Sequence, residues 1–195
     1  MLATALHYSH QLLKEIIQPN DHLIDATVGN GHDTLFLARL VKGSGHIYGF
    51  DVQEKAIHHT QEKLLAENLD KRVTLFQQGH ETLATALPSD IQIKGAIFNL
   101  GYLPKSDKTI ITQAETTLTA VQAILERLLP TGRIILVVYY GHPGGEQEKQ
   151  AVLNFVRELP QAHYNVLNYQ FINQKNSPPF LLVIEKKATK KRVLE

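Results

Sequence analysis

Residues 23–51 carry the pattern of a strand, a glycine turn, a helix and a second strand. Gly29 and Gly31 lie one residue apart after the apolar pair Leu23-Ile24, and Asp51 ends the second strand. Glycine lets the backbone turn tightly and approach a ligand, and an acidic residue about 20 positions further on accepts hydrogen bonds from ribose hydroxyls. The segment therefore predicts a βαβ unit that binds a nucleoside-containing cofactor.

Strands and helices alternate along the rest of the chain, which favours an α/β fold with a mostly parallel seven-stranded sheet and helices on both faces. The last two strands have no helix between them, so we expect an antiparallel C-terminal pair at one edge. The predicted strands are 22–26, 46–51, 73–77, 95–100, 134–140, 164–171 and 180–185. The predicted helices are 3–17, 32–41, 54–68, 83–87, a long helix capped by Ser106 and running to Leu128, and 145–158, with a turn at 129–132.

Composition limits the class of protein. The 195 residues, 43% of them hydrophobic, predict one globular domain over residues 1–195. No run of about 18 apolar residues is present, so no membrane span is expected. The N-terminal residues lack the apolar core of a signal peptide. The absence of cysteine excludes disulfides and thiolate nucleophiles and is typical of a cytoplasmic protein.

The net charge of +1 does not by itself indicate a nucleic-acid partner. Basic residues are nevertheless concentrated in the tail, residues 186–195. Such a tail could contact phosphate groups, and a solvated, frayed terminus explains it equally well.

The residues after the glycine turn distinguish between two kinds of cofactor. Dinucleotide-binding folds have a third glycine where this chain has Thr34, and Asp33 places negative charge where a pyrophosphate should lie. This disfavours an NAD-linked dehydrogenase and favours a cofactor with no phosphate and a cationic end, such as S-adenosylmethionine. Asp25 is the expected acceptor for its ammonium group. Helix capping and dipole compensation are the alternative explanation of both acidic residues.

The predicted sheet resembles that of the class I, S-adenosylmethionine-dependent methyltransferases, which have a Rossmann-like fold. In that family the first turn holds the methionine part, the acid after strand two holds the ribose, and a polar residue after strand three approaches the adenine. Asp51 and Gln78-Gly79-His80 match the last two positions. The cofactor-binding residues that the resemblance implies are Asp25, Thr27, Gly29, Asn30, Gly31, Asp33, Thr34, Asp51, Gln53, Gln78, His80 and Asn99.

Class I enzymes that methylate amino nitrogens often end strand four in Asn/Asp-Pro-Pro-Tyr/Phe, where the asparagine accepts hydrogen bonds from the target amine. The matching segment here is Asn99-Leu-Gly-Tyr-Leu-Pro104. It retains the asparagine and the aromatic residue and replaces Pro-Pro with Leu-Gly. The resemblance therefore implies an amine acceptor at Asn99; a plain strand-to-helix turn is the alternative.

Four motifs together resemble a narrower family. They are Asp25-Ala-Thr-Val-Gly-Asn-Gly-His-Asp33, Asn99-Leu-Gly-Tyr-Leu-Pro104, Tyr140-Gly-His-Pro-Gly-Gly145 and Asn173-Gln-Lys-Asn-Ser-Pro-Pro179, and the resemblance spans about residues 3–185. The family is that of bacterial tRNA 5-aminomethyl-2-thiouridine methyltransferases, formerly labelled rRNA methylases. It implies methyl transfer to the primary amine of the 5-aminomethyl group on the wobble uridine, with the tRNA anticodon loop as partner.

Asn99, Tyr102 and His142 are the expected catalytic residues. His142 follows strand five, where active sites of open α/β sheets form, and histidine titrates near neutrality, so it is a candidate acceptor for the proton of the amine. A turn histidine that caps the next helix is the alternative. Tyr102 is expected to stack on the uracil or close over the sulfonium, with a core tyrosine as the alternative.

The other histidines do not indicate a metal, and none is expected. His58 and His59 are adjacent on a helix and face different directions. His7 and His10 have no visible third ligand and, with Tyr8, are expected at the substrate entrance. Candidates for RNA contacts are Tyr139, Tyr140, Tyr169, Phe171, Lys105, Lys108 and Lys175, for which core or surface roles are equally good explanations.

Two other functions stay open at this point. One is methylation of rRNA or of a small-molecule amine, and the other is a non-catalytic module that binds S-adenosylmethionine. Asn99 and the aromatic residue after it argue against a binding module, because binding alone does not require them. A homodimer is compatible with the sequence, as is a monomer.

Overall fold

A computed structural model describes residues 1–101 and 111–188. Strands and helices alternate there until the last two strands, which follow one another, as predicted. The strands are β1 His22–Asp25, β2 His46–Phe50, β3 Val73–Phe76, β4 Ile93–Leu100, β5 Leu128–Val138, β6 Tyr164–Tyr169 and β7 Phe180–Lys186. The helices are α1 Ala5–Ile16, α2 His32–Leu40, α3 Glu54–Ala66, α4 Leu83–Ala86, α5 Ala114–Arg127 and α6 Gly145–Arg157.

The strands of the described residues form one sheet in the order β3-β2-β1-β4-β5-β7-β6. Strands β1 to β5 are parallel, and β7 is antiparallel to both β5 and β6. The expected antiparallel pair is confirmed, with β6 at the edge. The order of the strands reverses between β1 and β4, and open α/β sheets bind ligands beside the carboxyl ends of the strands at such a point.

Helices cover both faces of the sheet, as predicted. On one face Leu13 of α1, Leu37 of α2 and Leu64 of α3 pack in one hydrophobic cluster. On the other, Ile124 of α5 and Val152 of α6 belong to a second cluster. Each such fully buried aliphatic side chain contributes about 1.5–3 kcal/mol to folding. The two cores hold the sheet rigidly and leave the carboxyl ends of its strands to the connecting loops.

Helix α1 is tied to the sheet by Arg133 on β5. One guanidinium nitrogen of Arg133 donates to the main-chain oxygen of Leu12 and to Glu15, both at 2.7 Å. Its Nε donates to Glu185 on β7 at 2.9 Å. The bidentate geometry of arginine suits this bridging role. It fixes α1 across the sheet face and so fixes where the polar residues of α1 lie.

Two sequence predictions of element boundaries need correction. Helix α5 begins at Ala114 with Gln113 as its N-cap, and the predicted cap Ser106 lies outside the described residues. Residues 129–132, predicted as a turn, belong to β5 as an irregularity in its pairing. Ile93 pairs with Leu128 and Gly95 with Arg133, so β5 bulges between these pairs.

Among residues 1–101 and 111–188 we find no helix of the length and apolarity that crossing a bilayer would require.

Candidate active site

A cavity of about 960 Å³ lies at the carboxyl ends of β1, β2, β4 and β5. Its size is near the upper end of the range for small-molecule sites, about 300–1,000 Å³. The predicted site residues that line it are Thr27, Gly29, Asn30, Asp33, Asp51, Gln53, His80, Asn99 and His142. Asp25, Gly31, Thr34 and Gln78 are not among the lining residues, and Tyr102 lies outside the described part of the chain.

The glycine turn between β1 and α2 forms one wall of the cavity. Gly29 and Gly31 have φ of 51° and 76°, in the left-handed region that favours glycine. A Cβ on Gly31 would also lie 2.5 Å from the hydroxyl oxygen of Thr60 on α3. Gly31 therefore serves the packing of the turn against α3, while Gly29 faces the cavity.

Asp51 joins the turn to the end of β2. One carboxylate oxygen accepts from the Gly29 N–H at 2.8 Å, and the other accepts from the Gln53 N–H at 2.9 Å. Each carboxylate oxygen has a further lone pair, and Asp51 lines the cavity. Asp51 is thus held in place by two main-chain donors and can still accept hydrogen bonds from a ligand.

Asp25 is placed differently from its predicted role. Its side chain is fully buried under the turn, where it accepts from the Thr34 hydroxyl at 2.6 Å and from the Thr27 N–H at 3.2 Å. Burial, and next the negative charge of Asp33, raise the pKa of Asp25 to about 7. Asp25 and Thr34 therefore stabilise the turn through hydrogen bonds on its buried side, and neither residue lines the cavity.

Replacing Asp25 with asparagine is expected to change how stability depends on pH. The folded protein holds the Asp25 proton more tightly than the unfolded chain, so the contribution of Asp25 to wild-type stability falls as pH rises from about 4 to about 7. An asparagine lacks this titration and can accept from Thr27 while donating to Thr34. The variant should therefore gain roughly 2–3 kcal/mol relative to wild type between pH 5 and pH 8. Urea unfolding of both proteins at about pH 5 and about pH 8 measures this. A difference in unfolding free energy between variant and wild type that is the same at both pH values would contradict it.

Asp33 joins three elements at the cavity wall. One oxygen of its carboxylate lies 2.5 Å from Nε2 of His10 on α1. The other oxygen accepts a hydrogen bond from the side-chain amide of Asn99 on β4 at 2.6 Å. Asp33 is the second residue of α2, so the helix dipole also favours its charge. His10, which the sequence predicts at a substrate entrance, contacts this residue of the cavity wall.

Asn99 is held by its main chain as well as its side chain. The Asn99 N–H donates to the Thr27 hydroxyl at 2.8 Å, which ties β4 to the turn after β1. The side-chain nitrogen donates to Asp33, so the side-chain oxygen points away from Asp33. No donor among the described residues is hydrogen-bonded to that oxygen, and Asn99 lines the cavity.

The segment after β3 contributes His80 to the site and not Gln78, which is exposed and does not line the cavity. Nδ1 of His80 donates to the Ala26 main-chain oxygen at 2.9 Å. Burial lowers the pKa of His80, so the neutral ring is favoured and Nε2 is left as an acceptor. Nε2 is buried without a hydrogen-bond partner in the described residues. A ligand N–H would satisfy it.

The loop after β5 forms the opposite wall, with Tyr139, Tyr140 and His142. Burial, and next the charge of Asp33, raise the pKa of Tyr139, which keeps its phenol neutral. The His142 ring nitrogens lie 2.8 Å and 3.0 Å from the main-chain oxygens of Tyr139 and Pro143. A neutral imidazole can donate to only one of these two oxygens at a time.

One buried residue next to the site was missed by the sequence analysis. Glu148 of α6 is 3% exposed and accepts from the hydroxyls of Thr112 and Thr117 at 2.7 and 2.8 Å. The Thr112 hydroxyl accepts in turn from the Gly101 N–H at 2.8 Å. The network fixes the end of β4 just after Asn99. A glutamate in the first turns of α6 looks like ordinary dipole compensation in sequence.

Charge distinguishes this cavity from a phosphate site. Three carboxylates, Asp33, Asp51 and Glu81, line it, and no lysine or arginine is among its described lining residues. No group of three histidine, aspartate or glutamate side chains in residues 1–101 and 111–188 is arranged to hold a metal ion. The cavity therefore suits a ligand that carries positive charge.

Comparison with known families gives a match over most of the chain. Residues 47–185 match the family model described as "Putative rRNA methylase". A chloroplastic protein of Arabidopsis thaliana named tRNA (mnm(5)s(2)U34)-methyltransferase is 35% identical over 190 residues, which are 93% of this chain and 69% of that protein.

Solved structures show the same fold. A Clostridium thermocellum protein with the same rRNA-methylase description has a TM-score of 0.92 and 43% identity, covering 95% of this chain and 99% of that one. A Streptococcus mutans methyltransferase structure, in complex with SAH, has a TM-score of 0.87 and 49% identity over the same shares. The predicted methyltransferase fold is confirmed.

Proposed function

Since the chain belongs to the rRNA methylase family of S-adenosylmethionine-dependent methyltransferases, we propose that it methylates the primary amine of 5-aminomethyl-2-thiouridine at the wobble position of tRNA. The observation that carries the proposal is the side-chain oxygen of Asn99, an acceptor held at the cavity wall by Asp33 and Thr27. An amine is the kind of substrate that such an acceptor binds. The Arabidopsis relative, whose name specifies the same uridine, supports the choice of amine.

The chemistry of the cavity fits S-adenosylmethionine. The cofactor is cationic at its sulfonium and ammonium groups, and the cavity is lined by three carboxylates, with no lysine or arginine among its described lining residues. Asp51 would accept the ribose hydroxyls, and Nε2 of His80 is an unpaired acceptor for an N–H of the adenine. The turn from Thr27 to Asn30 would hold the methionine end, with Asp33 adding negative charge.

The bound cofactor supplies an electrophilic methyl group, so this chain must position an amine and keep its lone pair available. Asn99 accepts one amine N–H through its oxygen and thereby orients the nitrogen. Asp33 and Tyr139 both line the cavity, and the charge of Asp33 helps to raise the pKa of the Tyr139 phenol. The neutral phenol offers the substrate a hydrogen-bond donor and an aromatic face. Tyr102 and His142 keep their predicted roles as proposals. No step requires an acid, because the thioether leaves uncharged.

The absence of lysine and arginine from the described cavity lining also bears on RNA. A nucleic-acid backbone is bound mainly through basic side chains. A lining that lacks them among its described residues suits a single nucleoside that enters while its phosphates stay outside. This supports a flipped-out base in a loop as substrate, since enzymes that modify a base take it out of its stack.

Mass spectrometry of nucleosides tests the function directly. The enzyme is incubated with S-adenosylmethionine labelled in its methyl group and with tRNA that carries 5-aminomethyl-2-thiouridine. We expect label in the wobble nucleoside at the mass of the methylamino product. A matched tRNA that carries 2-thiouridine without the aminomethyl group should remain unlabelled, because it lacks the acceptor nitrogen.

Methylation of rRNA is the second candidate, because it is what the family description states. The same experiment with ribosomal RNA in place of tRNA separates the two. Label in ribosomal RNA and none in the aminomethyl tRNA would replace the proposed substrate while leaving the methyltransferase assignment in place.

A further inference from the structure

His10 of α1 contacts Asp33, a residue of the cavity wall, although His10 is remote in sequence from every motif of the chain. Its Nε2 is 2.5 Å from one oxygen of Asp33, whose other oxygen accepts from the Asn99 amide at 2.6 Å. Asp33 is 7% exposed and therefore largely shielded from water. The three side chains form a continuous row from α1 through α2 to the end of β4.

The direction of each hydrogen bond in this row follows from the carboxylate. An ionised carboxylate only accepts hydrogen bonds, so Nε2 of His10 must carry its proton toward Asp33. The same reasoning places the nitrogen of the Asn99 amide toward Asp33 and its oxygen toward the cavity. If the Asp33 carboxylate moved away, Asn99 would lose the hydrogen bond that holds its side-chain nitrogen toward Asp33 and its side-chain oxygen toward the cavity.

The His10 ring is itself held rigidly. It stacks on Phe36 with ring centres 3.9 Å apart and planes within 4° of parallel. Helix α1 is fixed by the contacts of Arg133 to Leu12 and Glu15 described above. The position of the donor is therefore set by packing and not by the ligand.

We propose that His10 is a positioning residue that fixes the Asp33 carboxylate and, through it, the direction in which Asn99 presents its oxygen to the substrate amine. The proposal rests on the proposed function in so far as it takes the amine as the group that Asn99 receives. Positioning of this kind matters because displacement of an acceptor by about 1 Å can reduce turnover by about 100-fold.

Two substitutions separate the hydrogen bond from the packing. His10→Phe keeps an aromatic ring on Phe36 and removes the donor, whereas His10→Gln keeps a donor near the Nε2 position and removes the ring. We expect kcat on the aminomethyl tRNA to fall about tenfold in His10→Phe and to stay within about threefold of wild type in His10→Gln. Neither change removes the charge of Asp33, so the Kd of S-adenosylmethionine should change less than about threefold in both.

A second readout does not depend on turnover. The side-chain amide signals of Asn99 in a proton–nitrogen NMR spectrum are identified by their absence in Asn99→Ala. We expect them to move in His10→Phe and to remain near their wild-type positions in His10→Gln. Unmoved signals in His10→Phe, or equal changes in kcat for the two variants, would overturn the positioning role.

The two readouts also separate this proposal from the proposed function. A wild-type enzyme that does not label the aminomethyl tRNA would refute the substrate, and the NMR signals would still decide whether His10 orients Asn99. A labelled tRNA together with wild-type kcat in His10→Phe would refute the role of His10 alone.

Discussion

Replacing Asn99 with alanine is expected to lower kcat by at least about 100-fold, because the variant loses the acceptor that orients the amine. The Kd of S-adenosylmethionine should stay within about threefold of wild type, since the turn residues, Asp33 and Asp51 remain in place. Single-turnover rates with labelled cofactor and calorimetric affinities measure the two quantities separately. The Asn99 N–H still donates to Thr27 in the variant, because that contact uses the main chain.

A matched control for Asn99 is Asn168→Ala. Asn168 is an exposed asparagine on the edge strand β6, and it is not among the residues that line the cavity. It should retain wild-type kcat. Asn99→Asp adds a further test, because it keeps an oxygen but places a second negative charge beside Asp33, so its turnover should also fall. Normal turnover in Asn99→Ala would remove Asn99 from the mechanism.

Replacing Asp51 with alanine is expected to raise the Kd of S-adenosylmethionine more than about tenfold, because a charged acceptor for the ribose hydroxyls is lost. The substitution also leaves the Gly29 and Gln53 N–H groups without their acceptor, so the turn should lose order. At saturating cofactor kcat should be affected less than the affinity, since Asp51 does not contact Asn99. Titration calorimetry gives the affinity, and thermal unfolding checks that the variant is folded.

Asp21→Ala is the matched control for this experiment. Asp21 also accepts from a main-chain N–H, that of Gln18 at 2.6 Å, but it precedes β1 and so lies at the opposite end of that strand. Its loss should leave cofactor affinity unchanged. An affinity that is unchanged in Asp51→Ala as well would mean that the cofactor lies elsewhere.

The fold was predictable because its signals are local. Apolar periodicity within single elements placed the strands of the described residues to within two positions, except β5, which begins six residues before its predicted start. The absence of a helix before β7 indicated its antiparallel pairing. The boundary of α5 and the bulge in β5 were not predictable. Where a helix starts and which residues of a strand pair depend on neighbours in space, here on β4.

The candidate site was predicted in part, and the residues show why. Gly29 and Asp51 belong to one βαβ unit, so their spacing alone brings them together, as the Gly29–Asp51 hydrogen bond shows. Asp25 and Asp33 belong to the same unit, but burial gives them different environments. Sequence could not tell that Asp25 lies under the turn and Asp33 at the cavity wall.

The sequence by itself determined the α/β fold, the glycine turn and the acid that ends β2, because each depends on residues close along the chain. Only the tertiary structure decided which polar groups meet. His10 and Asp33 are 23 positions apart and Asp33 and Asn99 are 66 apart, and they come together because α1, α2 and β4 pack at one end of the sheet. Burial and hydrogen-bond direction, which orient the Asn99 oxygen and raise the pKa of Asp25, exist only once that packing has formed.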